Sequence, residues 1–366
     1  MIPTNKNLNK IKTYIPGKSG MLKSKKKVIK LSSNESPFNF SLQTIKKIKK
    51  TGIIFSKYPD PEANSLRKKI AQIYKIKQSN IIFGNGSDEI FFLISYCFLN
   101  KKLEGLYSEY GFLIYPIAIN AAGGRCVAAK EYNYKADVKT LINKSNSNTR
   151  VCFIANPNNP TGTYLNINEI KMLREGLPKK CLLVIDSAYS EYVNKKDYSD
   201  TIKFAKTRND IIVTHTFSKI FGMSALRLGW AYCPENIAKI LNKIRPAFNT
   251  NSYAQLVGEY VLDDKNYLKK SIDHNIFWKN WLSKEFKNLG FYVINGEANF
   301  ILVILKNTKQ ATILADYLEK DNIYIRKLDA YNLANCIRIT IGLEKDLKIL
   351  VTKTKKILKE FKNDFI

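Results

Sequence analysis

The sequence predicts an α/β protein, with a mostly parallel sheet in a large unit followed by a smaller α+β unit. Three observations carry this. Between about residues 80 and 230, short β-branched runs ending in Gly, Asn, Asp or Ser alternate with longer helix-like segments, the pattern of βα units. After about Thr250 the pattern changes to long amphipathic stretches and then to short apolar runs. The length of 366 residues is too great for one small core, at roughly 150 residues per domain.

Taken in order, the N-terminal arm has too few apolar residues to fold alone and is expected to pack on the small unit or on a partner chain. NIIFGNG predicts a strand, and EIFFLISYCFL a helix after it. RVCFIANPNNPTG predicts a strand running into a turn-rich loop, and NINEIKMLREGL a helix. CLLVIDSAYSEY predicts a strand ending at Asp186, and DIIVTHTFSK one ending near Thr216. YAQLVGEYVL and IFWKNWLSKEFKNLG read as amphipathic helices. FYVING, NFILVIL, IYIRKL and CIRITIG read as the strands of the small unit. The expected division is an arm over 1–40, a large unit over 41–252 and a small unit over 253–366. In such a sheet a ligand binds at the C-terminal ends of the parallel strands.

Composition sets limits on function. Hydrophobic residues make up 45% of the chain, enough for packed cores and against general disorder. The start has no apolar segment of signal-peptide type, and the longest strongly apolar run, Ile90 to Leu99, is far too short to span a bilayer, so a cytoplasmic protein is expected. The six cysteines are widely separated and mostly lie in apolar runs, as reduced buried thiols do. With His215 and His274 the two histidines of the chain, far apart, a sequence-local metal site is not expected, and catalysis falls to Lys, Asp, Tyr or Arg. Sixty Lys+Arg against 31 Asp+Glu give a net charge of +29, which in isolation suggests an anionic partner. Nucleic-acid binding would need those cations clustered on one face. Their spread through most segments, alongside many Ile and Asn, fits a bias of the whole chain, and nucleic-acid binding would leave the strand-end clusters unexplained.

Those clusters carry the chemistry. In GNGSDE, backbone N–H groups of Gly86, Ser87 and Asp88 at a helix start form an anion site, unless Ser87 or Asp88 merely caps the helix. In NPNNPTG, a rigid turn between two prolines can aim an Asn side chain at a ligand. In CLLVIDSAY, Asp186 ends an apolar strand, either as a surface turn residue or as a desolvated or paired carboxylate facing a protonated ring nitrogen, with Tyr189 three residues on able to bond the same ring. In THTFSKIFGMSALRLGW, Lys219 lies in an apolar, cation-rich setting that favours its neutral amine, as a Schiff base requires. Thr216, Ser218 and Arg227 around it would serve a phosphate.

In this order, the clusters resemble those of the fold type I pyridoxal-phosphate-dependent aminotransferases. TYIPGK, LSSNESPF, KYPDP, GNGSDE and CIRITIG resemble the histidinol-phosphate aminotransferase family more closely, from Tyr14 to about Gly342. The resemblance implies a mostly parallel seven-stranded sheet, pyridoxal 5'-phosphate as cofactor, and a homodimer sharing its active site. It implies amino transfer between L-histidinol phosphate and 2-oxoglutarate, giving imidazole-acetol phosphate and L-glutamate. Lys219 would hold the cofactor, Asp186 would pair with its ring nitrogen, and Tyr189 and Asn159 would bond the ring oxygen. Tyr110 would stack on the ring. Gly86, Ser87, Asp88, Thr216, Ser218 and Arg227 would hold the phosphate, with Tyr58 reaching it from the other subunit. Tyr14, Asn159, Arg326 and Arg338 would contact the substrate.

Three departures stand out. NESP replaces the usual NENP, Ser224 and Ala225 replace Ala and Gly, and Asn332 stands where Gly is common, which would reshape the loop before Arg338. An aromatic-amino-acid aminotransferase and a threonine-phosphate decarboxylase are rival readings of the same frame.

Overall fold

The computed structural model describes residues 6–18, 27–198 and 201–365; parts of the expected arm, 1–5 and 19–26, lie outside them. Its strands, in chain order, are β1 (Ile29–Leu31), β2 (Ile81–Gly84), β3 (Glu104–Ser108), β4 (Arg125–Ala129), β5 (Glu131–Tyr132), β6 (Lys135–Ala136), β7 (Thr149–Ala155), β8 (Leu182–Asp186), β9 (Ile211–Thr216), β10 (Gly229–Tyr232), β11 (Tyr292–Ile294), β12 (Phe300–Ile304), β13 (Ile323–Lys327) and β14 (Cys336–Thr340). Seven of them form a sheet in the order β2-β10-β9-β8-β7-β3-β4, in which β10 alone runs against its neighbours. The strand-and-helix reading of residues 80 to 230 and the mostly parallel sheet are borne out.

The near-continuous apolar runs follow from helices covering both faces of this sheet. Alternate residues along β7 and β8 point to opposite cores: Cys152, Ile154, Leu183 and Ile185 to one, Val151, Phe153, Leu182 and Val184 to the other. The first core is closed by helices such as Asn64–Tyr74 and Ile167–Gly176, the second by Ser87–Phe98, Ile114–Ala121 and Glu235–Asn242. The helix Ile167–Gly176 starts in a capping box formed by Asn166 and Glu169.

The second sheet has the order β1-β13-β14-β12-β11, with β1 parallel to β13 and the rest antiparallel. Thus Ile29–Leu31, from the N-terminal arm, supplies the edge strand of the C-terminal sheet. Helices Lys265–Asn288, Thr308–Lys320 and Glu344–Glu360 cover it through Leu282, Leu314, Leu318, Leu347 and Leu350. The two sheets meet where Gly162, in the NPNNPTG loop, touches Gly296: the Glu297 N–H donates to the Gly162 carbonyl at 2.7 Å, and a Cβ on Gly296 would lie 2.2 Å from that oxygen. This backbone-to-backbone contact seats the loop that carries Asn159 against the second sheet.

Candidate active site

The C-terminal ends of β2, β3, β7, β8 and β9 open on one cavity of about 250 Å³, closed on the far side by β13, β14 and residues 14–17 of the arm. Ser87, Asp88, Asn159, Asp186, Tyr189, Thr216, Ser218, Lys219, Arg227, Tyr14, Arg326 and Arg338 all line it. One wall is built to receive an anion. The helix Ser87–Phe98 begins at Gly86, with no side chain capping it, so its first N–H groups stay open to a ligand. The cap is therefore Gly86, not the side chain of Ser87 or Asp88. Gly86 takes φ +82° and ψ 162°, a region open essentially to glycine, and a Cβ there would sit 2.3 Å from Arg227 Nη2. Gly86→Ala is accordingly expected to cost about 1–3 kcal/mol in denaturant unfolding and to push the Arg227 guanidinium aside. An unfolding curve matching that of the wild type would contradict this. Arg227 itself is held at φ +55°, where its Nη1 donates to Ser218 Oγ at 3.2 Å and to the Ser224 carbonyl at 3.1 Å. Its Nη2 stands 3.8 Å from Asp88. A non-glycine residue in the left-handed region carries backbone strain, which these contacts help to offset.

Asp186 closes β8 with a buried carboxylate. Its Oδ2 accepts from the Tyr115 hydroxyl at 2.9 Å, and its Oδ1 accepts from the Ala188 N–H at 3.2 Å and Thr214 Oγ1 at 3.4 Å. Burial pushes this carboxyl up to about 6, against the opposing Tyr115 hydrogen bond. Lys219, between buried Ser218 and Ile220, donates to the Ser33 carbonyl at 3.4 Å. Loss of water first, and Arg338 second, bring its amine down to about 8. Tyr189 is buried, and its hydroxyl accepts from Asn34 Nδ2 at 2.9 Å. Asn34 also bonds Thr340 through its backbone N–H and side chain, which ties this tyrosine to the second sheet.

The opposite wall holds Arg326 and Arg338, directly paired across β13 and β14. Both are buried. Arg338 donates to Asn159 Oδ1 through Nη1 and to the Ser32 carbonyl at 2.8 Å through Nη2, while Arg326 Nη2 donates to the Ile15 carbonyl at 2.7 Å. Arg338 Nε is buried with no protein partner. Two like charges opposite each other on adjacent strands repel. An anion placed between them would offset that repulsion.

Two sequence expectations, for Tyr110 and Asn332, meet a different geometry. Tyr110 does not line the cavity: after β3 the chain turns, with the Gly111 N–H donating to the Ser108 carbonyl at 2.7 Å, and the Tyr110 ring stacks on Tyr134 instead. The aromatic on the cavity is Phe112, edge-on to Tyr14 and Tyr115. Tyr58 is exposed and stacks on Phe248 at 4.4 Å, away from the cavity of its own chain. Asn332 takes φ +58°, a left-handed turn that Gly favours and Asn tolerates, so it keeps the turn before β14 rather than reshaping it. Phe112, Tyr115, Tyr331 and Asn34 were not singled out as site residues from sequence. Asn34 lies in the LSSNESPF segment and was legible there; Tyr115, inside an apolar helix, gave no signal. Among the described residues no group of His, Cys, Asp and Glu is placed to hold a metal ion, and no helix is long and apolar enough to cross a membrane.

The comparisons with known proteins agree on the family. A model of aminotransferases of class I and II matches residues 26–353. The chain is 40% identical over 349 residues to a histidinol-phosphate aminotransferase of Rhodopseudomonas palustris (strain BisB18), covering 95% of this chain and 96% of that protein. It is 38% identical over 351 residues to one of Maricaulis maris (strain MCS10), covering 95% and 97%. Among solved structures, the histidinol-phosphate aminotransferase of Sinorhizobium meliloti, in complex with pyridoxal-5'-phosphate, shares the fold at a TM-score of 0.87 and 23% identity, over 91% of this chain and 92% of that one. With a mostly parallel sheet whose strand ends bring a lysine, a buried aspartate and three arginines to one cavity, and with matches over most of its length, the chain belongs to the aminotransferase class I and II family.

Proposed function

We propose that this aminotransferase moves the amino group of L-histidinol phosphate to 2-oxoglutarate, giving imidazole-acetol phosphate and L-glutamate, in histidine biosynthesis in the cytoplasm. The cofactor is pyridoxal 5'-phosphate. The residues present fit it: an uncapped helix start beside Arg227 for a phosphate, a buried carboxylate that needs a cationic partner, and a lysine whose amine is easily freed of its proton. Bound there, the cofactor supplies the electron sink for the bond-breaking at the substrate carbon.

The chain's own residues do the rest. Lys219 Nζ would hold the cofactor and, once released, would carry the proton from the substrate carbon to the cofactor's aldehyde carbon; an amine near 8 is matched to that task at neutral pH. Asp186 keeps a proton on the ring nitrogen. Tyr189 and Asn159 would orient the ring oxygen, and Phe112, which lines the cavity where Tyr110 does not, would take the stacking position. Ser87, Asp88, Thr216, Ser218 and Arg227 grip the cofactor phosphate, with Asp88 acting through its backbone N–H and steadying Arg227. Arg326 and Arg338, with Tyr14, receive the phosphate of histidinol phosphate or the distal carboxylate of glutamate.

The observation that carries the choice of substrate is the buried, directly paired Arg326 and Arg338, with Arg338 Nε unpartnered. An aromatic amino acid would offer that pair one singly charged α-carboxylate, where histidinol phosphate offers a phosphate carrying about two negative charges. Tyr58, with Ile54, Phe55 and Phe248, forms an exposed apolar patch, and a second copy packed there would bring Tyr58 to the neighbouring cofactor phosphate. Histidinol phosphate, phenylalanine and tyrosine should be compared as donors to 2-oxoglutarate with the cofactor-loaded protein. Histidinol phosphate is expected to be used best by a wide margin, with no carbon dioxide released from threonine phosphate. Phenylalanine as the better donor, or release of carbon dioxide, overturns the substrate while leaving the family intact.

A further inference from the structure

Asp186 is reached by a hydroxyl from an element that nothing in the sequence marks as functional. Tyr115 is fully buried in the helix Ile114–Ala121 and donates to Asp186 Oδ2 at 2.9 Å. Its ring has little freedom. Phe153 stacks on it at 5.1 Å with planes 9° apart, and Phe91 and Phe112 stand edge-on at 5.2 and 6.0 Å. The hydroxyl is thus delivered to one place by packing on three sides. The contacts to the other carboxylate oxygen are the longer ones, from Ala188 and Thr214.

From this geometry we infer that Tyr115 is a positioning residue for Asp186, fixing the plane of its carboxylate toward the cavity and holding it ionised to face the protonated ring nitrogen of the cofactor. The inference rests on the pyridoxal-phosphate reading of the site. A phenol that donates to a carboxylate favours the charged form of that carboxylate. The charged and titratable groups around Asp186 bear this out in sign: burial and the nearby Asp88 raise it, while Tyr115 is the largest influence lowering it. Tyr115 stays a donor, because burial and the adjacent Asp186 push its own ionisation well up. Tyr189 is pushed up to about 12, first by burial and in smaller part by Asp186, and also remains neutral. Without the Tyr115 hydroxyl, Asp186 would take up a proton at higher pH and lose its hold on the ring nitrogen there.

The test is pyridoxal-phosphate uptake by the cofactor-free protein, followed by absorbance and protein fluorescence from about pH 5.5 to 8.5. Four proteins are compared: wild type, Tyr115→Phe, Asp186→Ala and the double variant. Tyr115→Phe keeps the ring packing. It is expected to bind the cofactor roughly ten-fold more weakly at neutral pH, the loss of one hydrogen bond to a charged group. Its acid limb is expected to move about one unit to higher pH. In the Asp186→Ala background the same change should alter affinity by less than about two-fold, because the partner is gone. Equal losses in both backgrounds would reduce Tyr115 to a packing role, and a wild-type pH limb in Tyr115→Phe would remove its influence on Asp186; either overturns the inference. Absence of uptake by the wild type overturns the cofactor reading instead. Denaturant unfolding of all four proteins separates lost binding from lost folding.

Discussion

Lys219→Ala is expected to lower turnover by roughly 10⁴-fold or more, about 5 kcal/mol of barrier at 1.36 kcal/mol per decade. The size follows from the two duties that meet on one atom. In the proposed mechanism Nζ would both attach the cofactor and carry the proton from the substrate carbon, and Ala can do neither. Lys219→Arg should fare no better, although it keeps the charge. A guanidinium stays protonated throughout the working range and offers no free electron pair. Steady-state assays of both variants with saturating cofactor check this, and a variant within a few-fold of wild type would contradict the role.

Asp186→Ala is expected to cost on the order of 10³-fold in turnover, about 4 kcal/mol of barrier. Asp186 lies in the low-dielectric end of β8, where one carboxylate against one ring cation is worth far more than at the surface. Its removal would leave the ring nitrogen of the proposed complex without a counter-charge, so the ring would withdraw electrons poorly even with the cofactor bound by its phosphate. The loss should therefore appear in kcat much more than in KM. Asp186→Asn should resemble Ala in rate, since an amide keeps the shape but not the charge. Rates near wild type in either variant would refute the pairing.

Much of this site was legible because its residues stand at the ends of strands. The runs that end in Gly86, Asp186 and Thr216 announce themselves by apolar β-branched character followed by small or polar residues, and the parallel sheet then gathers residues far apart in sequence at one edge. The anion site at Ser87 was readable for the same reason, although the sequence offered two side-chain caps and the structure uses Gly86. What could not be read depends on turns and on packing between elements. Tyr110 and Phe112 are two residues apart, and the Ser108–Gly111 turn decides which of them faces the cavity. Tyr115 lies in an apolar helix where a buried tyrosine is ordinary, and its link to Asp186 exists only once β8 and that helix are packed together. The pairing of Arg326 with Arg338 likewise depends on the register of β13 and β14. The net charge of +29, so prominent in the composition, contributes a handful of cations to the cavity.

That excess of cations also sets the most direct test. A second lysine is also brought down to about 8: the buried Lys279, whose amine donates to the Gly296 carbonyl outside the cavity. Desolvation alone therefore does not single out one lysine; the strand-end geometry does. The cofactor-loaded protein should be reduced with borohydride, digested and mapped by mass spectrometry. The account predicts a pyridoxyl group on Lys219, and the same group on Lys279 or any other lysine in its place would contradict it.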